Sequence, residues 1–258
     1  EPPSWSPDER LIAFTSIGKD TTIAVVDTDG NGVVRNLTDG NGQTFSPDGT
    51  EIAFVHEGAL WAMNLSDVDP YPITLAVSEG ITNPEGSSDG EWISFRSRGT
   101  LWKVSSYGGE PVPLLKEKGI AWPVGWSDRS KSFYFITNAT EKGTESTFGF
   151  GGVWRTNIAK PGVGDYVTAN IGWWTDIAPD GTFLTAGGLS AKFGIRIYRL
   201  DAGTTKVLRF PKVPTHQAIS TSISPSGKRV AFHLVREWFT STWRADVSNL
   251  LEQPMGLP

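Results

Sequence analysis

Cysteine is absent from the chain. That excludes disulfide staples, thiolate metal sites and a cysteine nucleophile, and it leaves the compartment open, since extracytoplasmic proteins also do without cysteine. Long apolar runs are missing as well: no stretch approaches the roughly 20 residues a helix needs to cross a bilayer. The sequence opens at Glu1 without a leader, so a mature product or an excised domain is expected. Positive charge is not concentrated anywhere. With 23 Lys and Arg against 28 Asp and Glu the net charge is −5, and no dense basic run occurs, which argues against nucleic acid as a partner. Histidine is scarce, and His56, His216 and His233 are scattered without metal-ligand spacing. No GxSxG elbow, HExxH helix or phosphate loop is present, so neither a metal nor a cofactor is expected.

Glycine and tryptophan, by contrast, are plentiful, at 29 and 11 residues. Bulky aromatics joined by many flexible turns suit packed sheets. One short phrase recurs along the chain. It begins at Ser6, Ser46, Ser87, Ser127, Ala178 and Ser224, typically reading Ser-Pro-Asp-Gly, in steps of 40, 41, 40, 51 and 46 residues. Proline sets the first turn dihedral, aspartate bonds the backbone two residues on, and glycine accepts positive φ, so each copy reads as a hairpin turn. Asp48 and Asp89 are accordingly expected to be structural.

An apolar, β-rich run follows each turn: 11–15, 52–55, 92–95, 133–136, 182–184 and 230–234. A third strand then carries an aromatic at Trp61, Trp102, Trp154, Tyr198 and Trp243, with Ala24 as the exception, and the four tryptophans are expected in the core. A step of about 40–45 residues fits one four-stranded blade. The expectation is a single all-β domain over 1–258, a six-bladed β-propeller of four-stranded antiparallel blades. Residues before Ser6 supply only a stub of an innermost strand. The last copy is followed by enough chain for three strands and a short fourth near Asn249–Gln253, so the expectation is either closure without an exchanged strand or a parent chain that supplies more sequence upstream.

The stretches Phe45–Phe54 and Leu101–Pro111 resemble the PD40, or WD40-like, repeats of the TolB family, and the resemblance extends over essentially the whole chain. Similar repeats occur in propellers attached to prolyl-oligopeptidase-type enzymes, tricorn-type proteases and bacterial sensor kinases. The resemblance implies a propeller in an envelope or secreted location with a protein partner.

By analogy of fold, ligands are expected at the mouth formed by the connections between blades and by the loops between second and third strands. The inter-blade connections contribute Asn83, Trp122, Trp173 and His216. The long insertion 138–152 contributes Phe148 and Phe150, and the corresponding loop of the last blade contributes Trp238. Glu85 and Asp176 each stand two residues before their turn phrase, at one repeat position on innermost strands. Two carboxylates at one channel suit a cation or acid–base work, but channels more commonly hold such groups solvated or as acceptors for nearby backbone amides. The segment Asp27–Gly32 opens like a calcium loop but has Thr38 where such a loop requires glutamate, so it reads as a polar hairpin.

The leading expectation is a non-catalytic binding propeller that recognises a protein segment or a small ligand, a carbohydrate included, at the channel mouth. It would act in the periplasm or as a secreted protein, or as the extracytoplasmic domain of a larger chain, with no nucleic-acid partner and no membrane insertion. One alternative is a carbohydrate-active lyase or hydrolase using the mouth carboxylates or His216. The other is a regulatory or sensor propeller of a larger peptidase or kinase.

Overall fold

Six phrases of similar length must each bury two sheet faces, because a lone twisted sheet leaves both wet. In the computed structural model they do so by stacking face to face. The structure describes residues 1–29, 32–67, 69–74, 80–115, 121–127, 131–138, 151–169, 172–187, 194–209, 217–236 and 239–246.

The first sheet comprises β1 (Ser4–Trp5), β2 (Leu11–Ile17), β3 (Thr21–Asp27) and β4 (Val34–Asp39). The second holds β5 (Asn41–Phe45), β6 (Glu51–His56), β7 (Ala59–Asn64) and β8 (Tyr71–Pro72). The third holds β9 (Thr82–Gly86), β10 (Trp92–Ser97), β11 (Thr100–Ser105) and β12 (Val112–Pro113). The fourth is β13 (Ala121–Ser127), β14 (Ser132–Thr137), β15 (Gly152–Asn157) and β16 (Lys160–Ala169). The fifth is β17 (Trp173–Ile177), β18 (Phe183–Gly187), β19 (Gly194–Arg199) and β20 (Thr204–Arg209). A three-stranded sheet follows, β21 (Gln217–Ile223), β22 (Arg229–Arg236) and β23 (Phe239–Asp246). All pairings are antiparallel and each sheet keeps its strands in chain order, the arrangement of an all-β propeller with four-stranded blades. The short fourth strand expected near 249–253 lies outside the described residues.

The turn phrase forms the hairpin between the first and second strands of each sheet. In the copies whose turn is described, the residue at its fourth position donates its N–H to the carbonyl of the first, as in Gly49 to Ser46 at 2.9 Å and Gly181 to Ala178 at 2.8 Å. Asp48 Oδ1 accepts from Ser46 Oγ at 2.7 Å and from the Thr50 amide at 3.0 Å. The serine hydroxyl in turn accepts the amide of Glu51 at 2.9 Å. Asp8 and Asp89 repeat the pattern with Ser6 and Ser87. These acids are therefore structural, as their turn role requires. Those hydrogen bonds hold the exposed Asp48 carboxyl down at about 2.

Second strands read as nearly continuous apolar runs because neighbouring sheets cover them on both faces. Ile52, Phe54, Phe95, Phe133 and Val230 are all buried. One apolar cluster fills each seam. Phe54, Ile23 and Met63 pack between the first and second sheets, and Phe95 with Leu60 between the second and third. Phe133 and Leu101 join the third and fourth, Ile136 and Leu184 the fourth and fifth, and Phe183 with Val230 the fifth and last. A smaller group, Trp5, Ile12 and Ala231, joins the first sheet to the last. Trp61, Trp102 and Trp154 are half-buried and pack against these clusters, while the side chain of Trp243 is outside the described set. The outer edges are blunted: β8 and β12 are two residues long, and each ends in proline.

The first-to-last seam is more polar than the rest. Trp5 Nε1 donates to Ser222 O at 3.0 Å. Trp126 makes the same contact between the third and fourth sheets, donating Nε1 to Glu85 O at 3.1 Å. Glu9 then reaches across to the last sheet. Its Oε1 accepts the Ser226 amide at 2.7 Å, and its Oε2 accepts Arg229 Nε at 2.9 Å. The Arg229 guanidinium also lies 5.1 Å from the Trp5 ring centroid. Glu9 occupies the turn position that Gly49, Gly90, Gly181 and Gly227 hold in other copies, at φ 58° against 73° for Gly49. A side chain there is strained, and the contact with Arg229 offsets that strain.

Candidate functional site

The innermost strands surround a central cavity of about 400 Å³. Each of these strands leads into a turn phrase, and Pro7, Pro47, Pro179 and Pro225 of those turns line one end. The other end is lined by residues nearer the strand beginnings, including Asn83 and Trp174, with Glu1 to Pro3 beside them. Gln43 Nε2 donates to Pro2 O at 2.9 Å, and Asn83 Nδ2 donates to Glu1 Oε2 at 2.6 Å.

Two repeat positions carry the channel chemistry. The first is the residue just before Phe45, Gly86, Trp126, Ile177 and Ile223, occupied by Thr44, Glu85, Gly125, Asp176 and Ser222. Side chains at this level reach the next innermost strand and accept its backbone N–H. Thr44 Oγ1 accepts from Gly86 at 3.0 Å, Glu85 Oε1 from Trp126 at 3.3 Å, and Asp176 Oδ2 from Ile223 at 2.6 Å. Asp176 Oδ1 also accepts the Ile177 amide at 2.7 Å. Adjacent innermost strands share no ladder, and these side chains satisfy amides that would otherwise face the channel unpaired.

Gly125 separates the two acids, and its lack of a side chain lets them converge. A Cβ there would stand 2.8 Å from Glu85 Oε1 and 3.3 Å from Asp176 Oδ1, and its φ of 149° already favours glycine. Burial raises both carboxyls. Asp176 is pushed up to about 7 despite its two amide donors. Glu85 rises well above the ordinary glutamate range through burial and then through the Asp176 charge. No described group donates to Glu85 Oε2, and neither acid has a cationic partner among the described residues.

The second position lies two residues nearer the other end, where the innermost strands bulge. Register shifts fall between Asn41 and Gln43, opposite Ser94 to Arg96, and between Trp173 and Thr175. Asn83 and Trp174 adopt left-handed backbone there, at φ 52° and 53°. Bulges re-aim side chains, and non-glycine residues held at positive φ are strained. Trp174 is 45% exposed at the channel wall, and its carbonyl accepts Thr221 Oγ1 at 3.0 Å.

The structure thus brings Asn83, Glu85 and Asp176 together in one cavity. Trp122 is elsewhere: it is half-buried against Val124, Tyr134 and Ile136 between sheets, with the Arg96 guanidinium 5.2 Å from its ring centroid. Arg96 Nε donates to Ala121 O at 2.9 Å, which fixes that stack. The Trp173 backbone pairs with Gly187, while its side chain is outside the described residues, as are Phe148, Phe150, His216 and Trp238. His56 packs edge-on against Trp61 on β6 and β7. His233 is buried on β22, its Nδ1 3.0 Å from Ser220 Oγ, and burial lowers it to about 4. No group of three or more His, Asp or Glu side chains suited to a metal ion occurs among the described residues. Trp174, Gly125 and Thr44 were not singled out by the sequence. The first two have a usable signal: Trp174 precedes Asp176 by the same two residues that separate Asn83 from Glu85, and Gly125 shares the acids' repeat position.

No protein-family profile and no curated protein matches the sequence. Solved structures do. A putative TolB from Agrobacterium tumefaciens superposes with a TM-score of 0.66 at 19% identity, over 83% of this chain and 80% of that one. TolB from Acinetobacter baumannii gives 0.64 at 19% identity over 82% of this chain, which spans only 54% of that protein's length. An oligogalacturonate lyase in complex with manganese gives 0.62 at 12% identity, over 97% of this chain and 89% of the lyase. At such identities what is shared is architecture, and that architecture is the TolB-like β-propeller.

Proposed function

We propose that the chain is a six-bladed binding propeller that holds a protein segment or a small ligand at the channel end marked by Asn83 and Trp174. The three-stranded sheet is the sixth blade, and the Trp5, Glu9 and Arg229 contacts close the ring. The observation that carries the reading is the cavity of about 400 Å³ with Trp174 exposed on its wall in a strained bulge. Pockets of this size take small molecules or single side chains, and strain at a recognition residue is kept where function offsets it. Likeness in fold to TolB supports an extracytoplasmic setting and a protein partner. No helix among the described residues is long and apolar enough to cross a membrane.

The test is a thermal-shift screen of the whole protein against short peptides, oligosaccharides and small ions, since any ligand of the native state raises the melting temperature by mass action. The reading expects at least one hit whose shift is lost in Trp174→Ala. Hits indifferent to Trp174→Ala would remove the channel from consideration.

A lyase is the second reading, favoured by the manganese-bound oligogalacturonate lyase whose fold covers nearly the whole chain. Against it, the described channel lining carries three carboxylates, Glu1, Glu85 and Asp176, and no Lys, Arg or His, so an anionic polysaccharide meets like charge there. Incubation with manganese and oligogalacturonate decides between the two. A lyase generates a conjugated double bond with a rising ultraviolet absorbance, and a binding propeller leaves the absorbance flat.

A further inference from the structure

Resting on the reading of the channel as a binding site, we propose that it takes a protonated amine or guanidinium on an extended aliphatic stem, with the charged head at Glu85 and Asp176 and the stem against the Trp174 indole. Three independent features converge on that chemistry. The first is shape. Trp174 and Asp176 stand two residues apart on β17, and Asn83 and Glu85 two apart on β9, so a strand rise separates the two levels by roughly 6–7 Å. An ion alone cannot bridge that distance, whereas a lysine-like or arginine-like chain does.

The second feature is charge. Glu1, Glu85 and Asp176 line the cavity with no Lys, Arg or His among the described lining residues. Glu85 Oε2 has no described donor, and the hydrogen bonds to the pair come only from backbone amides. Burial makes two adjacent carboxylates costly to ionise together, and an incoming cation relieves that cost. The nearby guanidinium groups are engaged elsewhere, Arg96 on Trp122 and Ala121 O, and Arg229 on Glu9 and Trp5. The third feature is the indole. Trp174 is 45% exposed at the wall, and an aromatic face beside a channel of negative potential favours a cation with an apolar stem over a compact, strongly hydrated ion.

The same head group arrives either on a free diamine or on a lysine or arginine side chain of a partner polypeptide. Titration calorimetry of the whole protein separates these sources, with cadaverine as one probe and a short lysine-centred peptide as the other. A peptide with norleucine in place of lysine keeps the stem and removes the charge. The lysine peptide is expected to bind roughly tenfold or more tightly than the norleucine peptide, a difference of about 1.4 kcal/mol. Tighter binding of cadaverine than of the peptide assigns a free amine, and the reverse assigns a partner side chain. Asp176→Asn and Glu85→Gln should each weaken the better probe roughly tenfold. Trp174→Ala should weaken it about fivefold, and Trp174→Phe should restore most of the loss. Melting temperatures of all four variants are recorded alongside, and weakening in variants whose melting temperature is preserved is what counts as support.

Equal binding of the lysine and norleucine peptides, lost in Trp174→Ala, would overturn the cationic head and leave the channel as an apolar binding site. Amine binding that persists in Asp176→Asn and Trp174→Ala together would place the cation elsewhere and overturn the proposal. Failure of both amine probes, alongside a hit from a neutral or anionic ligand that needs Trp174, would also overturn it while preserving the binding reading. Failure of every ligand class would remove both.

Discussion

Two partly buried acidic sites in this propeller use the same side-chain chemistry and end at opposite electrostatic extremes. At the seam between the first and last sheets, Glu9 accepts from the Ser226 amide and from Arg229, and its carboxyl falls to about 2 even though burial opposes ionisation. In the channel, Glu85 and Asp176 accept from amides alone and face each other around Gly125, and their carboxyls rise. Burial acts in the same sense on all three. The difference lies in donors and depth: Ser226, through its hydroxyl and amide, and then the Arg229 guanidinium lower Glu9, whereas at the channel pair deeper burial outweighs the amides. The seam has both hydrogen-bond donors and a cationic partner, whereas the channel pair keeps protons instead and has no cationic side-chain partner among the described residues. Complete sites serve stability, and incomplete ones are where a ligand gains most.

The sharpest way to disturb this contrast is at Gly125. A methyl group there would meet Glu85 Oε1 at 2.8 Å and Ile177 Cγ2 at 3.0 Å, on backbone at φ 149°. Gly125→Ala should lose about 2–4 kcal/mol from overpacking and backbone strain combined, read as a lowered urea midpoint with an unchanged slope. An unchanged midpoint would mean that the acids are not held tightly around this position. The next effect belongs to the seam. Glu9→Gln removes the charge facing Arg229 while keeping an acceptor for Ser226, and should lose about 2 kcal/mol, between the values for exposed and buried pairs. Glu9→Gly removes both contacts but relieves the positive φ, which should return about 1 kcal/mol of what the lost contacts cost. Its loss should therefore fall below that of Glu9→Ala by about that amount. Equal losses in the glycine and alanine variants would deny that Glu9 is strained.

The turn phrase makes the fold readable because each of its parts acts locally. Serine, aspartate and glycine close one hairpin by their own hydrogen bonds, as Ser46, Asp48 and Gly49 do. Glu9 is hard to see for the same reason. In the sequence it is merely a poorer turn residue than Gly49, and its partner Arg229 lies at the far end of the chain. The acids Glu85 and Asp176 are legible through their shared repeat position, and Asn83 through its place on a connection. Trp122 breaks the repeat pattern, which suggests recognition, yet it stands away from the cavity. Alternation of side chains along a strand is the better guide: Trp122 stands one residue beyond the channel-facing positions of β13 and so turns between the sheets, onto Tyr134 and under Arg96. The same counting picks out Trp174 on β17. What local patterning does not supply is the bulge, since the left-handed backbone at Asn83 and Trp174 depends on how one strand registers against the next.

The last expected effect is modest per pH unit and reads both sites in a single measurement. Asp176 has a folded value of about 7 against an ordinary 3.8, so between those values the folded chain keeps a proton that the unfolded chain has released. Stability therefore falls as pH rises through that window and levels off above it, with a slope of at most about 1.4 kcal/mol per pH unit for one proton. Glu9 acts at the other end. Its folded value of about 2 lies below the ordinary 4.5, so its contribution is complete above the unfolded value and is lost as pH falls toward the folded one. Together the two sites place greatest stability in mildly acidic solution, where Glu9 is ionised and the channel pair still shares protons. Asp176→Asn removes one titrating group and the charge that Glu85 feels, so it should flatten the neutral limb and leave the acid limb intact. Glu9→Gln should do the reverse. Urea midpoints across the pH range, taken for the three proteins together, resolve the two limbs. A neutral limb that survives Asp176→Asn unchanged would show that the channel acids titrate as ordinary surface carboxylates, and the contrast between seam and channel would then collapse to a difference in partners without electrostatic consequence.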